Sequence, residues 1–299
     1  LRQLVSEYTG HYAAWTHLQR VFEDASRMDL SWFFLQWVER SGAPMLAIRD
    51  YRVQPDEPEG YWIRLRLSQG MEPFRISVPV IIHMDQEKVY RTNLDLRGKD
   101  QLVSFWIPAK PLRLTLDPQF EVFRRLKRSQ IPPMLNLWVT DQHRAIAPPL
   151  QKSAQVSFQA ALNRIRSQKD DVVWLKGSVP QDETQSVLAF GSPDVNASTS
   201  GVLGWCGPKI QVGEGGVMIN GESFLGNDIA VLVSCANPEY PDHVGTAFWG
   251  TAPEAVSRVA RLLFFYGWDS YLVYRNGKVI ARGSFPPEAQ GLTVELQAL

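Results

Sequence analysis

At 299 residues the chain exceeds the roughly 100–200 residues of one domain, so two domains are expected, and 44% hydrophobic with 11% aromatic residues supply a large core. Lys plus Arg and Asp plus Glu both number 31, a balance that gives no electrostatic reason to expect nucleic acid or an anionic membrane as partner. No apolar run approaches the roughly 20 residues of a membrane span, so none is expected in this chain. Leu1 stands in place of Met and Leu1-Arg2-Gln3 does not open a signal peptide, so the chain is expected to be a piece of a longer protein. Its compartment is left open.

Residues 1–42 read as helix. Tyr12, Trp15, Leu18 and Phe22 recur at spacings of three and four, which places them on one stripe. Asp29 is a good N-cap for a second helix with Leu30, Phe33, Phe34, Trp37 and Val38 on one face, and Gly42 with Pro44 supplies a stop. Such apolar helices need a large partner surface. From 43 the period changes from 3.6 to 2. Tyr61, Ile63, Leu65 and Leu67 alternate with Trp62, Arg64, Arg66 and Ser68, and Phe74 to Ile82, Val103 to Ile107 and Leu112 to Leu116 continue the pattern. Alternating strands between Gly, Pro and Asp turns predict an antiparallel β-sandwich with one wet face. Asp117-Pro118 predicts a following helix, with Asp as N-cap and Pro at the first helical position, ending at Pro132-Pro133. The sandwich and this helix are expected to fill 43–133.

Residues 134–150 read as a linker closing at Pro148-Pro149. Over 151–299 strand and helix signals alternate, which predicts a small α/β module. Phe158, Ala161, Leu162 and Ile165 mark a helix, Ser186 to Phe190 a strand, and the fully apolar Ile229 to Val233 a buried strand. Thr251 to Glu254 has the spacing of a capping box, and Asn276-Gly277 the signature of a tight hairpin. The fold class expected is therefore α+β, in several domains. The two cysteines, Cys206 and Cys235, form no Cys-x-x-Cys and read as buried free thiols, with a disulfide as the alternative.

The segment Phe22 to Trp37, followed by Gly42-Ala43-Pro44, resembles the end of the catalytic domain in the aminopeptidase N family of zinc peptidases. There a Leu-x-x-Phe-Phe-x-x-Trp helix ends in a Gly-x-Pro turn that leads into a β-sandwich, and Leu30, Phe33, Phe34, Trp37, Gly42 and Pro44 match that pattern. His11 to Trp15 resembles the helix just upstream, so the resemblance covers about the first 130 residues. The last 150 or so resemble a small α/β module appended to some bacterial members and to certain exported hydrolases, through Phe190 to Asn196, Gly221 to Ala230 with Ala236 to Pro238, and Ser270 to Gly277.

The resemblance implies a zinc aminopeptidase-like parent whose catalytic domain lies upstream. Peptide would then be the parent's substrate, and that upstream domain this chain's own partner. The family's chemistry needs a His-Glu-x-x-His helix, because two histidines at i and i+4 share one face. This chain has only His11, His17, His83, His143 and His243. His11 and His17 are six apart, about 240° around a helix, and point to different faces. No catalytic residue carries over, no metal or cofactor is expected in this chain, and zinc is expected only in the parent's missing domain. The function expected is a non-catalytic region that stabilises that domain and shapes access to it; the alternative is a protein-interaction scaffold of a zinc-less parent. Zinc-peptidase activity is not expected of the chain itself.

Four other stretches carry residue types that could serve a site. Gly221-Glu-Ser-Phe-Leu-Gly226 is one residue too long for a nucleophile elbow, and Gly213-Glu-Gly215-Gly216 lacks a dinucleotide fingerprint's third glycine, so both read as turns. The basic run Arg124 to Arg128 reads as the solvated end of the predicted helix. Gly191 to Asn196 follows a predicted central strand, where open α/β sheets place ligands. Ser192, Asp194 and Asn196 are the candidate ligand-binding residues, expected to offer helix-start N–H groups to an anion or polar oxygen. Their plain reading is a capped strand-to-helix turn.

Overall fold

The computed structural model describes residues 1–56, 60–167, 172–176, 184–289 and 291–296. The chain begins with α1 (Arg2–Tyr8), α2 (Trp15–Ser26) and α3 (Ser31–Phe34), which runs on into a π-helical turn over Leu35–Glu39. Asp29 Oδ1 accepts the Ser31 N–H at 2.9 Å, although Leu30, not Asp29, takes the N-cap position of α3. Six strands follow: β1 (Ala47–Asp56), β2 (Gly60–Ser68), β3 (Ile76–Met84), β4 (Val89–Leu96), β5 (Asp100–Ile107) and β6 (Pro111–Leu116). Next come α4 (Leu135–Val139), β7 (Arg144–Ala147), α5 (Lys152–Gln155), α6 (Gln159–Ser167), β8 (Val173–Trp174), β9 (Ser186–Phe190) and α7 (Ala197–Trp205). They are followed by β10 (Ile210–Gly213), β11 (Gly216–Ile219), β12 (Glu222–Leu225), β13 (Ile229–Ala236), β14 (Val244–Gly250), α8 (Pro253–Val259), β15 (Tyr271–Arg275), β16 (Lys278–Gly283) and finally β17 (Leu292–Glu295).

The fold is α+β, in two units: Leu1–Arg125 with Gly291–Leu299, and Leu126–Gln290. In the first, antiparallel sheets ordered β1-β2-β5 and β17-β6-β3-β4 enclose one core. The alternation read from sequence is the burial pattern itself. Ile63, Leu65 and Leu67 point inward from β2, and Val78, Val80 and Ile82 from β3, while Trp62, Arg64 and Arg66 face out.

The N-terminal helices are half-covered. Phe34 is buried, the Trp37 ring lies 5.3 Å from that of Phe74, and the Gln36 amide pairs with both backbone groups of Arg75. The opposite side is bare: Tyr12 is 99% exposed, Trp15 61% and Leu35 60%. The predicted stripe Tyr12, Trp15, Leu18, Phe22 thus has Tyr12 and Trp15 in solvent, and Val21 is the one buried residue of α2.

Six expectations are corrected. No α-helix opens at Asp117-Pro118, because Asp117 itself adopts a left-handed φ of 51° and Phe120 one of 54°, and the stretch up to Pro132-Pro133 holds only a 3-10 turn at Arg128–Gln130. The Asp117 carboxylate accepts from the Val122 N–H at 3.1 Å and from Arg124 Nε at 2.6 Å, which organises an irregular loop. The basic run is therefore no solvated helix end: the Arg124 side chain is 1% exposed, in an ion pair with a fully buried Asp117. Residues 134–150 are no linker, since they hold α4 and β7, an interior strand.

The second unit also starts earlier and ends sooner than 151–299: it runs from Leu126 to Gln290, and β17 returns to pair with β6. In chain order it is an insertion between two strands of the sandwich. Cys206 and Cys235 are not free thiols but a disulfide joining the end of α7 to β13, a constraint of about 3.5 kcal/mol in the chain-entropy picture for a loop of this length. Thr251 makes no capping box, because its hydroxyl bonds the backbone of Ile229 and Ala252 takes the N-cap position of α8.

The second unit is built on a seven-stranded sheet ordered β16-β15-β13-β14-β9-β7-β8. β8, β7, β9 and β14 are parallel, and β13, β15 and β16 complete the sheet by antiparallel pairing. All eight residues of β13 are buried, as expected of a central strand covered on both faces. Leu188 and Phe190 of β9 join one apolar cluster with α6 and α8, while Val187 and Ala189 join the other with α7. Hence the chain leaves β7 through α5 and α6 toward β8, and leaves β9 through α7 toward the other side of the sheet. The β7–β9 pair is the point where the connections diverge. A separate small sheet, β10-β11-β12, carries the glycine turns that sequence reading assigned. At the other hairpin, Asn276 and Gly277 both have positive φ, 49° and 79°, as a tight two-residue turn requires.

Candidate functional site

A cleft of about 330 Å³ lies at the carboxyl ends of the parallel strands, at the low end of the roughly 300–1,000 Å³ of small-molecule sites. Pro149 follows β7, Gly191 and Ser192 follow β9, and Thr251 and Ala252 follow β14; all line it, together with the Val212–Gly216 hairpin. This is where open α/β sheets bind ligands: the strand ends stop in register while divergent helices leave a gap. Gly191 has φ +110°, and a Cβ there would face Pro149 at 3.7 Å, so glycine sets the exit angle from β9.

Two of the three predicted residues reach this cleft. Ser192 and Asp194 line it, with Ser192 Oγ 3.2 Å from Asp194 Oδ2, a donating hydroxyl. Asn196 does not line it. It is 3% exposed, donates through Nδ2 to the Phe190 carbonyl at 2.7 Å and accepts the Ser198 N–H at 3.0 Å. Asn196 is thus the N-cap of α7 and ties the helix start to the end of β9. The N–H groups of Val195 and Asn196 are taken by the Ser192 carbonyl. The expected anion-binding N–H groups of this loop are therefore engaged within the loop.

The cleft's walls escaped sequence reading. Phe158, Trp249 and Val256 give it an apolar floor, and Val212 and Val195 its rim. They come from five separate segments, and only the position of Ser192 after an apolar strand signalled any of them.

At the opposite ends of the same strands lies a second polar cluster. Asp141 Oδ2 accepts from Ser186 Oγ and lies 2.9 Å from His243 Nδ1, and Asp141 Oδ1 accepts the His143 N–H at 2.9 Å. Arg128 Nη2 stands 3.6 Å away. Burial would raise the Asp141 pKa, but the hydrogen bonds from Ser186, the His143 N–H and His243, with the Arg128 charge, outweigh it and hold the carboxyl below its ordinary range. Ser, Asp and His together invite comparison with a hydrolytic triad, but the connectivity is different. Ser186 is fully buried, gives its proton to Asp141 rather than to His243, and accepts the Val244 N–H at 3.0 Å. A nucleophile needs its base on the hydroxyl. This cluster instead clamps the starts of β7, β9 and β14.

Among the described residues no group of three or more His, Cys, Asp or Glu could hold a metal ion. Among the described residues no helix is long and apolar enough to cross a membrane. No protein-family model and no curated protein matches the chain.

Proposed function

We propose that this chain is the non-catalytic region of a zinc aminopeptidase-like protein, which stabilises an upstream catalytic domain and shapes access to its active site. The observation that carries the reading is the bare aromatic side of α1 to α3. Trp15, Phe33 and Leu35 are exposed although, in the same segment, Phe34 is buried and Trp37 packs on Phe74. Exposed apolar patches of this kind mark interaction surfaces. The stretch also holds the Leu30, Phe33, Phe34, Trp37, Gly42, Pro44 pattern that resembles the end of an aminopeptidase N catalytic domain. Zinc and peptide substrate belong, on this reading, to the upstream domain.

The double variant Trp15→Ser, Phe33→Ser tests it. Surface changes away from special features move stability by about 0.5 kcal/mol or less, so the chain alone should melt nearly unchanged. In the full-length parent the same variant should lose roughly 1.5–3 kcal/mol for each side chain that was covered, with reduced peptidase activity. A parent whose melting and activity are unaffected would remove the proposal.

A further inference from the structure

The cleft at the carboxyl ends of β7, β9 and β14 is lined by apolar side chains, glycines and hydroxyls, and, among the described residues, by a single ionisable residue, Asp194. We infer that this cleft binds a small organic cation: a protonated primary amine carrying a compact apolar group, with the ammonium on the Asp194 carboxylate and the apolar group on Phe158, Trp249 and Val256.

Each part of the ligand follows from a part of the wall. The floor is hydrocarbon and aromatic, and Phe158, Trp249 and Val256 are each below 5% exposed, so the bound group must be apolar. Several donors at the rim that could recognise an anion are already engaged. The Val195 and Asn196 N–H groups bond the Ser192 carbonyl, the Ser198 N–H bonds Asn196, and the Thr251 hydroxyl bonds the Ile229 backbone. Among the described residues no Lys, Arg or His lines the cleft. Asp194 has one hydrogen bond, from Ser192 to Oδ2, and no ion pair among the described residues, which leaves Oδ1 for a donor from the ligand. A carboxylate accepts and does not donate, so its complement is a cation with N–H groups. The volume of about 330 Å³ is ample for such a molecule.

The experiment titrates the chain, followed by the amide resonances of Gly213 to Gly216 and the indole of Trp249, with three probes of one shape: isoamylamine, isoamyl alcohol and isovalerate. The amine should bind roughly fivefold tighter than the alcohol, the size of an exposed charge pair, and isovalerate weakest of the three. In Asp194→Asn amine and alcohol should bind alike while the alcohol keeps its wild-type affinity. Val212→Trp, a change at the exposed rim, should block all three by filling the mouth. Both positions lie at the surface, and an unchanged melting curve shows that each variant folds. Isovalerate binding as tightly as the amine, an amine preference that survives in Asp194→Asn, or no saturable shift at the cleft resonances would each overturn the inference.

Discussion

Helices α2 and α6 are both amphipathic, yet they meet different fates. The nine residues of α6 bury Ala161, Leu162 and Ile165 against the sheet of their own unit, while the twelve of α2 bury only Val21. Phe158, just before α6, is 4% exposed in an aromatic trio with Phe190 and Phe248, at ring separations of 5.5 and 5.7 Å. Trp15, at the head of α2, is 61% exposed. An apolar stripe declares that a helix face wants covering. Whether the covering is within the same chain is a separate question, answered by burial, and it separates structural aromatics from those available for docking.

The largest test of this contrast compares Phe248→Ala with Phe33→Ala. Loss of the fully packed Phe248 ring should cost about 3–5 kcal/mol by chemical denaturation, because transfer and cavity terms add. Phe33→Ala, on the bare side of the N-terminal helices, should cost about 1 kcal/mol or less in the chain alone. Comparable losses would mean that the two aromatic sets are equivalent.

A smaller effect concerns the clamp under the parallel strands. Asp141→Asn should lower stability at neutral pH by roughly 1.5–3 kcal/mol, the range of hydrogen bonds to a charged group. The pH dependence has a definite sign. The folded-state pKa of Asp141 lies below its ordinary value of 3.8, so the unfolded chain binds the proton more readily. Its contribution is fully present above that ordinary value and is lost as pH falls through the depressed folded value. Denaturation curves between about pH 2 and 7 should therefore show a shallower acid decline in Asp141→Asn than in the wild type. Equal acid limbs would show that the carboxylate is not the titrating clamp.

What sequence reading reached and what it missed divide along the range of the interactions. Tyr61 to Ser68 was legible because one face is wet, so its alternation is written in neighbouring residues. Ile229 to Val233 was legible because a central strand is apolar on both faces, and Asn276-Gly277 because both residues need positive φ. The helix expected after Asp117 failed because the carboxylate reaches Arg124, seven residues on, instead of capping locally. β7 was missed because Arg144–Ala147 is four residues long, too short for a period to register. β17 was missed because its partner β6 lies more than 170 residues earlier.

The site divides in the same way. Ser192 and Asp194 could be placed from the strand before them, and Asn196 caps the next helix, as the plain reading of this turn expects. Asp141, Ser186 and His243 span 102 residues, and only the parallel register of β7, β9 and β14 brings them together.

The measurement closest to the central claim is hydrogen exchange of the backbone amides over residues 2–39, in this chain alone and in the full-length parent. If the proposed function holds, α2 and the Leu35–Glu39 turn should exchange much more slowly in the parent than in this chain alone, while β13 and β14 exchange alike in both. Unchanged exchange across α2 and the turn, with the parent intact and folded, would contradict the claim that this face was built to be covered by a catalytic domain.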